Sequence, residues 1–154
     1  MIQPAFPIPF SDDGTPPTEI RLFTAGVNAT SKGPVKWTAR SAALVQAEYV
    51  ARGVEKFADY EHRSLLPLDR QQEHATLAAA WYRLDVRDGA LWAVDIRWTP
   101  PAIEKLTARE FRYFSPAVEI DPKTNEVTKF VNFALTNNPA THNLPALVAA
   151  SEGI

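Results

Sequence analysis

Two stretches near the middle of the chain alternate apolar and polar residues at every second position. Residues 79–86 (AAWYRLDV) and 90–98 (ALWAVDIRW) flank Arg87-Asp88-Gly89. Period-2 alternation on both sides of Asp-Gly predicts a β-hairpin, because glycine takes positive φ at little steric cost. Trp81, Leu84 or Tyr82, Trp92, Val94, Ile96 and Trp98 supply its aromatic and β-branched faces. Residues 111–120 (FRYFSPAVEI) and 126–135 (EVTKFVNFAL), joined by a turn at 121–125, predict a second hairpin. Pro116 removes a ladder donor, so the first of these two strands is predicted to be an edge or bulged there.

The pattern elsewhere predicts two more strands, at 19–25 and 54–60, and a helix over 40–51. Thr38 is its expected N-cap and Gly53 its stop. Leu44 and Val45 are expected to face the core. Thr99-Pro100-Pro101 opens a second helix through Arg109, since proline suits a first turn. A short last helix is expected over 143–150. Residues 26–36 and 63–75 read as turn and loop. Residues 1–18 hold five of the 13 prolines, which excludes helix and central strand. They read as an extended N-terminal arm that packs Phe6, Ile8 and Phe10 on a domain spanning 19–154. Strand, helix, strand, hairpin, helix, hairpin, helix is an α+β order, with a mostly antiparallel, barrel-like sheet and surrounding helices.

Composition narrows the chemistry. The 154 residues are 45% hydrophobic and 22% charged, which suits one folded domain. There is no cysteine, which excludes disulfides, thiolate metal sites and a thiol nucleophile. The net charge of −2 and the isolated Arg109 and Arg112 argue against a nucleic-acid surface. No apolar run approaches the ~18 residues of a membrane span. The N-terminus has neither the basic nor the apolar region of a secretory signal, so no leader is expected.

Three histidines (His62, His74, His142) and six serines limit the nucleophile–base pairs. His62 follows Asp59-Tyr60-Glu61 at a strand end, where scaffolds present reactive groups. A carboxylate can orient an imidazole and stabilise its charged form. On a regular strand, however, Asp59 and Glu61 share the face that His62 does not. Direct support by either acid therefore requires an irregular strand end. Ser115, flanked by aromatics and by Pro116, is the candidate nucleophile; Ser64 competes from a loop. Taken singly, His62 also reads as a surface histidine and Ser115 as a strand serine bonded to backbone. Asp59, Glu61, His62 and His74 form an alternative metal set, but their spacing fits no zinc helix pattern. No phosphate-binding glycine loop is present.

Five segments in order resemble the Mu-like prophage protease family. They are Asp59-Tyr60-Glu61-His62; the run of small residues ending in Trp81; Asp88-Gly89 with Trp92; Tyr113-Phe114-Ser115-Pro116; and Leu135-Thr136-Asn137-Asn138-Pro139-Ala140. The resemblance covers about residues 19–150. It implies a cofactor-free serine endopeptidase that cleaves scaffold and major capsid proteins, and itself, inside the assembling procapsid in the host bacterial cytoplasm. It further implies a fold similar to the herpesvirus assemblins, a closed β-barrel with helices around it, and a homodimer that switches activity on. Carried over, Ser115 is the nucleophile and His62 the base. Glu61, Asp59 and His142 remain alternative third members. Thr136 and Asn137 are expected to shape the oxyanion or substrate site. Members of that family continue into a helical scaffold segment, so Ile154 is either a domain end or a self-processing site. A non-catalytic assembly module, and a metal-dependent hydrolase using His62 and His74, are the rival readings.

Overall fold

A computed structural model of the chain describes residues 1–67 and 77–137. Nine strands and two helices are present among them. The strands are β1 (Phe6–Pro7), β2 (Ile20–Phe23), β3 (Gly26–Asn28), β4 (Val35–Trp37), β5 (Lys56–Tyr60), β6 (Ala80–Arg87), β7 (Ala90–Trp98), β8 (Tyr113–Ile120) and β9 (Val127–Thr136). The helices are α1 (Ala39–Arg52) and α2 (Pro100–Thr107), and a 3-10 turn spans Arg63–Leu65. Seven strands make one sheet in the order β1-β8-β9-β5-β6-β7-β2, and β3 pairs with β4 separately. The α+β, mostly antiparallel architecture expected from the pattern is present. The sheet curls as a half-barrel, so that its edge strands β1 and β2 line one cleft of about 530 Å³.

Both hairpins form where the alternation places them. Arg87 pairs with Ala90 across a two-residue turn, and Asp88 and Gly89 both have positive φ, 51° and 79°. That is the turn whose twist matches two antiparallel strands. In the second hairpin Ser115 lies opposite Ala134 and Ala117 opposite Asn132, and the register shifts just beyond Ala117. Strand β8 is not the edge expected at Pro116, since β1 pairs beyond it, and the register shift falls one residue later, between Ala117 and Val118. Among the described residues only the N-terminal arm pairs on the far side of β8, and its own Pro4 falls opposite Pro116 in the register set by Ile2↔Val118 and Phe6↔Phe114, so Pro116 and the residue facing it both lack an N–H. The arm is fastened by Ile8, which is buried, by Phe6 on the Phe114 ring at 5.5 Å, and by Phe10 under the Arg109 guanidinium at 3.6 Å.

Helix α1 has the caps that its sequence announces. The Thr38 side chain accepts from the Ser41 N–H, and Gly53 closes the helix in the left-handed region with φ 66°. The inward stripe differs from expectation. Val45 is buried together with Ser41, whereas Leu44 is 42% exposed; Ser41 and Val45, four residues apart, centre the inward stripe, and Leu44 is turned 100° from Val45, to its edge. Trp81 is likewise 44% exposed, and its neighbour Tyr82 takes the core position because successive strand residues point to opposite faces. Residues 26–36, expected to be turns, hold β3 and the start of β4. Their strands are only three residues long and carry Gly26 and Asn28, so no apolar alternation marked them. Thr99 stands at the start of α2 without a side-chain cap bond. Its hydroxyl bonds the Ala79 carbonyl at 3.2 Å, and Pro100 and Pro101 have no N–H for a cap to satisfy.

The core lies inside the curl. Tyr82 packs on Phe133 with ring centroids 4.7 Å apart, Phe114 meets Phe133 edge-on at 6.2 Å, and Phe23 stacks on Trp37 at 5.9 Å. Truncating a fully buried ring such as Phe133 to alanine costs about 3–5 kcal/mol. The helix expected over 143–150 lies outside the described residues.

Candidate active site

The strand register gathers the site. Strand β5 lies parallel to β9, with Asp59 beside Ala134, and β9 lies antiparallel to β8, with Ala134 beside Ser115. Directly opposed residues on paired strands put their side chains on one face. Asp59, Ala134 and Ser115 therefore form a row across three strands, on the face opposite Ala58, Phe133 and Phe114. Asn132, two residues before Ala134 on β9, shares that face. The methyl group of Ala134 leaves space above the middle of the row.

His62 enters that space because the end of β5 is irregular. Glu61 and His62 are both left-handed, with φ of 55° and 54°. A left-handed non-glycine residue costs about 1–2 kcal/mol, and such residues persist where the surroundings hold them, often at functional sites. Here the holding groups are visible. The Glu61 N–H bonds the Leu135 carbonyl at 2.9 Å. The Glu61 carboxylate accepts from the Thr136 hydroxyl at 2.9 Å and from the Asn137 N–H at 3.1 Å. Asn137 in turn accepts from the Arg112 N–H at 3.0 Å and donates to the Glu110 carbonyl. The His62 carbonyl then accepts from Leu65 N–H at 3.0 Å to start the 3-10 turn.

The two left-handed residues break the alternation that would have turned His62 away from Asp59 and Ser115. His62 Nε2 stands 2.9 Å from Ser115 Oγ. Both residues are buried, at 8% and 3% exposure, so the contact is shielded from bulk water. Asp59 has no exposed surface. Its Oδ2 accepts from the Ser64 N–H at 3.0 Å and from the Ser64 hydroxyl, which occupies the rival nucleophile. Three buried atoms here have no hydrogen-bond partner: Asp59 Oδ1, His62 Nδ1 and Asn132 Oδ1. Burial lowers the pKa of His62; the Asp59 carboxylate, the Asn132 amide and the Glu61 carboxylate act in the opposite sense. The imidazole is therefore biased toward its neutral form, in which one ring nitrogen can accept a proton.

The site brings together His62, Ser115 and Asp59. It turns the Glu61 carboxylate toward the Thr136 hydroxyl and the Asn137 N–H, which both donate to this acid. His74 and His142 lie outside the described residues. Asn132 was not marked by the sequence pattern; a polar residue inside the apolar run of β9 was the available signal. Beside the row opens a cleft of about 560 Å³, whose walls include Phe57, Leu65, Trp81, Val131 and Asn132. Among the described residues no three His, Asp or Glu side chains gather as a metal-binding group.

Comparison with known proteins agrees with the family resemblance. The model of the family described as Mu-like prophage I protein, N-terminal domain, matches residues 20–148. A curated relative, Protease I of Escherichia phage Mu, is 31% identical over 94 residues, covering 59% of this chain and 26% of the relative. The chain thus aligns with about a quarter of that relative's length. No solved structure matches. The chain belongs to the Mu-like prophage I protein family.

Proposed function

We propose that this member of the Mu-like prophage I protein family is a serine endopeptidase domain in which Ser115 is the nucleophile and His62 the general base. The observation that carries the reading is the 2.9 Å contact between His62 Nε2 and Ser115 Oγ. A serine hydroxyl is a weak nucleophile until a neighbouring imidazole takes its proton. In this reading Oγ attacks the scissile carbonyl while Nε2 accepts the hydroxyl proton. The same nitrogen then protonates the departing amine, and a water molecule, activated in its turn by His62, releases the acyl group. The depressed pKa of His62 keeps the base unprotonated at neutral pH. Thr136 and Asn137 act by holding Glu61, and through it the left-handed turn that delivers the imidazole. No step requires a cofactor.

The name of the phage Mu relative and the family membership support a phage protease. The proposed substrates are scaffold and major capsid proteins, cleaved in the assembling procapsid within the host bacterial cytoplasm. The test is cleavage of purified scaffold protein by the wild-type chain and by Ser115→Ala and His62→Ala. Each substitution is expected to lower kcat by about 10³-fold or more. Undiminished cleavage by Ser115→Ala removes the assignment.

A further inference from the structure

We infer that Asp59 is the positioning residue for His62: its free carboxylate oxygen, Oδ1, accepts the proton on Nδ1 and so turns the Nε2 lone pair toward Ser115. The inference deepens the serine-protease reading and rests on it for its catalytic consequence. Its first support is geometric. Asp59 and Ser115 are the two ends of a row whose middle member is Ala134. Two inter-strand spacings of ~4.8 Å separate their backbones, a gap that one imidazole above an alanine methyl can bridge. One ring nitrogen already reaches Ser115. The other, Nδ1, is buried and without a partner, and so is Asp59 Oδ1. A donor and an acceptor buried without partners in one site are complementary, since each is costly to leave unmade.

The alternatives are distinguishable by chemistry. Glu61 has both carboxylate oxygens engaged, by Thr136 and Asn137. Asn132 is the rival partner: its side chain supports the charged imidazole by hydrogen bonding, but its Oδ1 makes no bond of ordinary geometry, and an amide carries no charge to stabilise an imidazolium. Asp59 has its second oxygen fixed by Ser64, which holds the carboxylate in one orientation. The charged groups acting on His62 are Asp59 and Glu61, and the effect of Asp59 is the larger. Ser64 on this account is a brace for the acid. Sequence spacing hid the arrangement, because a regular strand would place Asp59 and His62 on opposite faces.

A purely structural Asp59 would cap the 3-10 turn and leave the proton chemistry of His62 alone. The test therefore reads the imidazole directly, by NMR titration of the full chain carrying 15N-labelled histidine. In the wild type, neutral His62 is expected to carry its proton on Nδ1. In Asp59→Asn, His62 is expected to titrate at lower pH than in the wild type, because the favourable charge is gone. Ser64→Ala is expected to leave the tautomer in place. In the cleavage assay Asp59→Asn is expected to lower kcat by about 10³–10⁴-fold, the effect of removing the orienting acid of a serine protease, with little change in KM. A wild-type tautomer with the proton on Nε2 overturns the inference and needs no variant to fold. So does an Asp59→Asn variant with unaltered His62 titration, and so does a tautomer switch seen in Asn132→Leu instead. If the NMR result holds while no peptide is cleaved, the pairing stands and the protease reading fails.

Discussion

The β6–β7 hairpin and the end of β5 are neighbours in one sheet, built under different rules. Around the turn of the hairpin the local preferences agree with the fold, and the departures, a left-handed Asp95 in β7 and a register shift between Trp81 and Arg83, lie away from it. Alternation sets the faces, Asp88-Gly89 supplies the two positive φ values, and the turn joins Arg87 to Ala90 in register. At the end of β5 the local preferences are broken. Two ordinary residues, Glu61 and His62, are left-handed, a carboxylate is fully buried, and complementary polar atoms stand without partners. Sequences fold when local and global preferences agree, and violations concentrate where function requires them. The hairpin is scaffold; the β5 end is the proposed site, held in place by bonds from β9.

The sharpest way to break that contrast is to alter each region and ask which property fails. The largest effect is expected from His62→Ala combined with Ser115→Ala. Each single change is expected to abolish cleavage, and the double variant to be hardly worse, because the two groups act as one unit. Thermal stability is expected to change little for Ser115→Ala, which deletes one hydroxyl. Multiplicative losses in the double variant would show that the two residues work separately.

Next in size is the response to acid. Burial places the His62 pKa below its ordinary value, so the base is neutral above that pKa and is lost as pH falls through it. Activity is expected to hold through pH 6.5 and to decline only on further acidification. The same sign applies to stability: the fold favours the neutral ring, and that contribution disappears as pH falls through the folded-state pKa. A rate that already halves at or above pH 6.5 would contradict a buried base.

The hairpin should give the mirror image. Gly89 has φ 79°, and a Cβ there would stand 3.2 Å from the Cβ of Ala25. Gly89→Val is expected to cost about 1–2 kcal/mol and to lower Tm by about 2–8 °C, with kcat unchanged below the transition. Loss of kcat in the folded variant would couple the hairpin to the site. The smallest effect is expected from a chelator or from His74→Ala. Both should leave cleavage intact, since the proposed chemistry runs on Ser115 and His62; complete loss with a chelator would favour a metal-dependent route.

The sequence made the scaffold more legible than the site, for a physical reason. The hairpins, the caps of α1 and the proline arm follow from residues close together in the chain. Val45 and Tyr82 were within reach of the pattern, but a choice between adjacent residues, Leu44 or Val45 and Trp81 or Tyr82, depends on a rotation or a strand face that only packing fixes. The β3–β4 hairpin was hidden by strands of three residues. At the site, the motif resemblance singled out His62 and Ser115, and composition limited their rivals. The relation of Asp59 to Ser115 was not legible, because it depends on the parallel pairing of β5 with β9, strands separated by some seventy residues. The left-handed pair at Glu61 and His62 was equally hidden, since neither is a glycine, and the enrichment of histidine at positive φ says nothing of Glu61 beside it.

The most direct measurement is active-site labelling with a fluorophosphonate, followed by peptide mapping by mass spectrometry. The account predicts one adduct, on Ser115, formed by the wild type and strongly slowed in His62→Ala. An adduct on Ser64, or labelling of Ser115 that proceeds equally fast without His62, would contradict it.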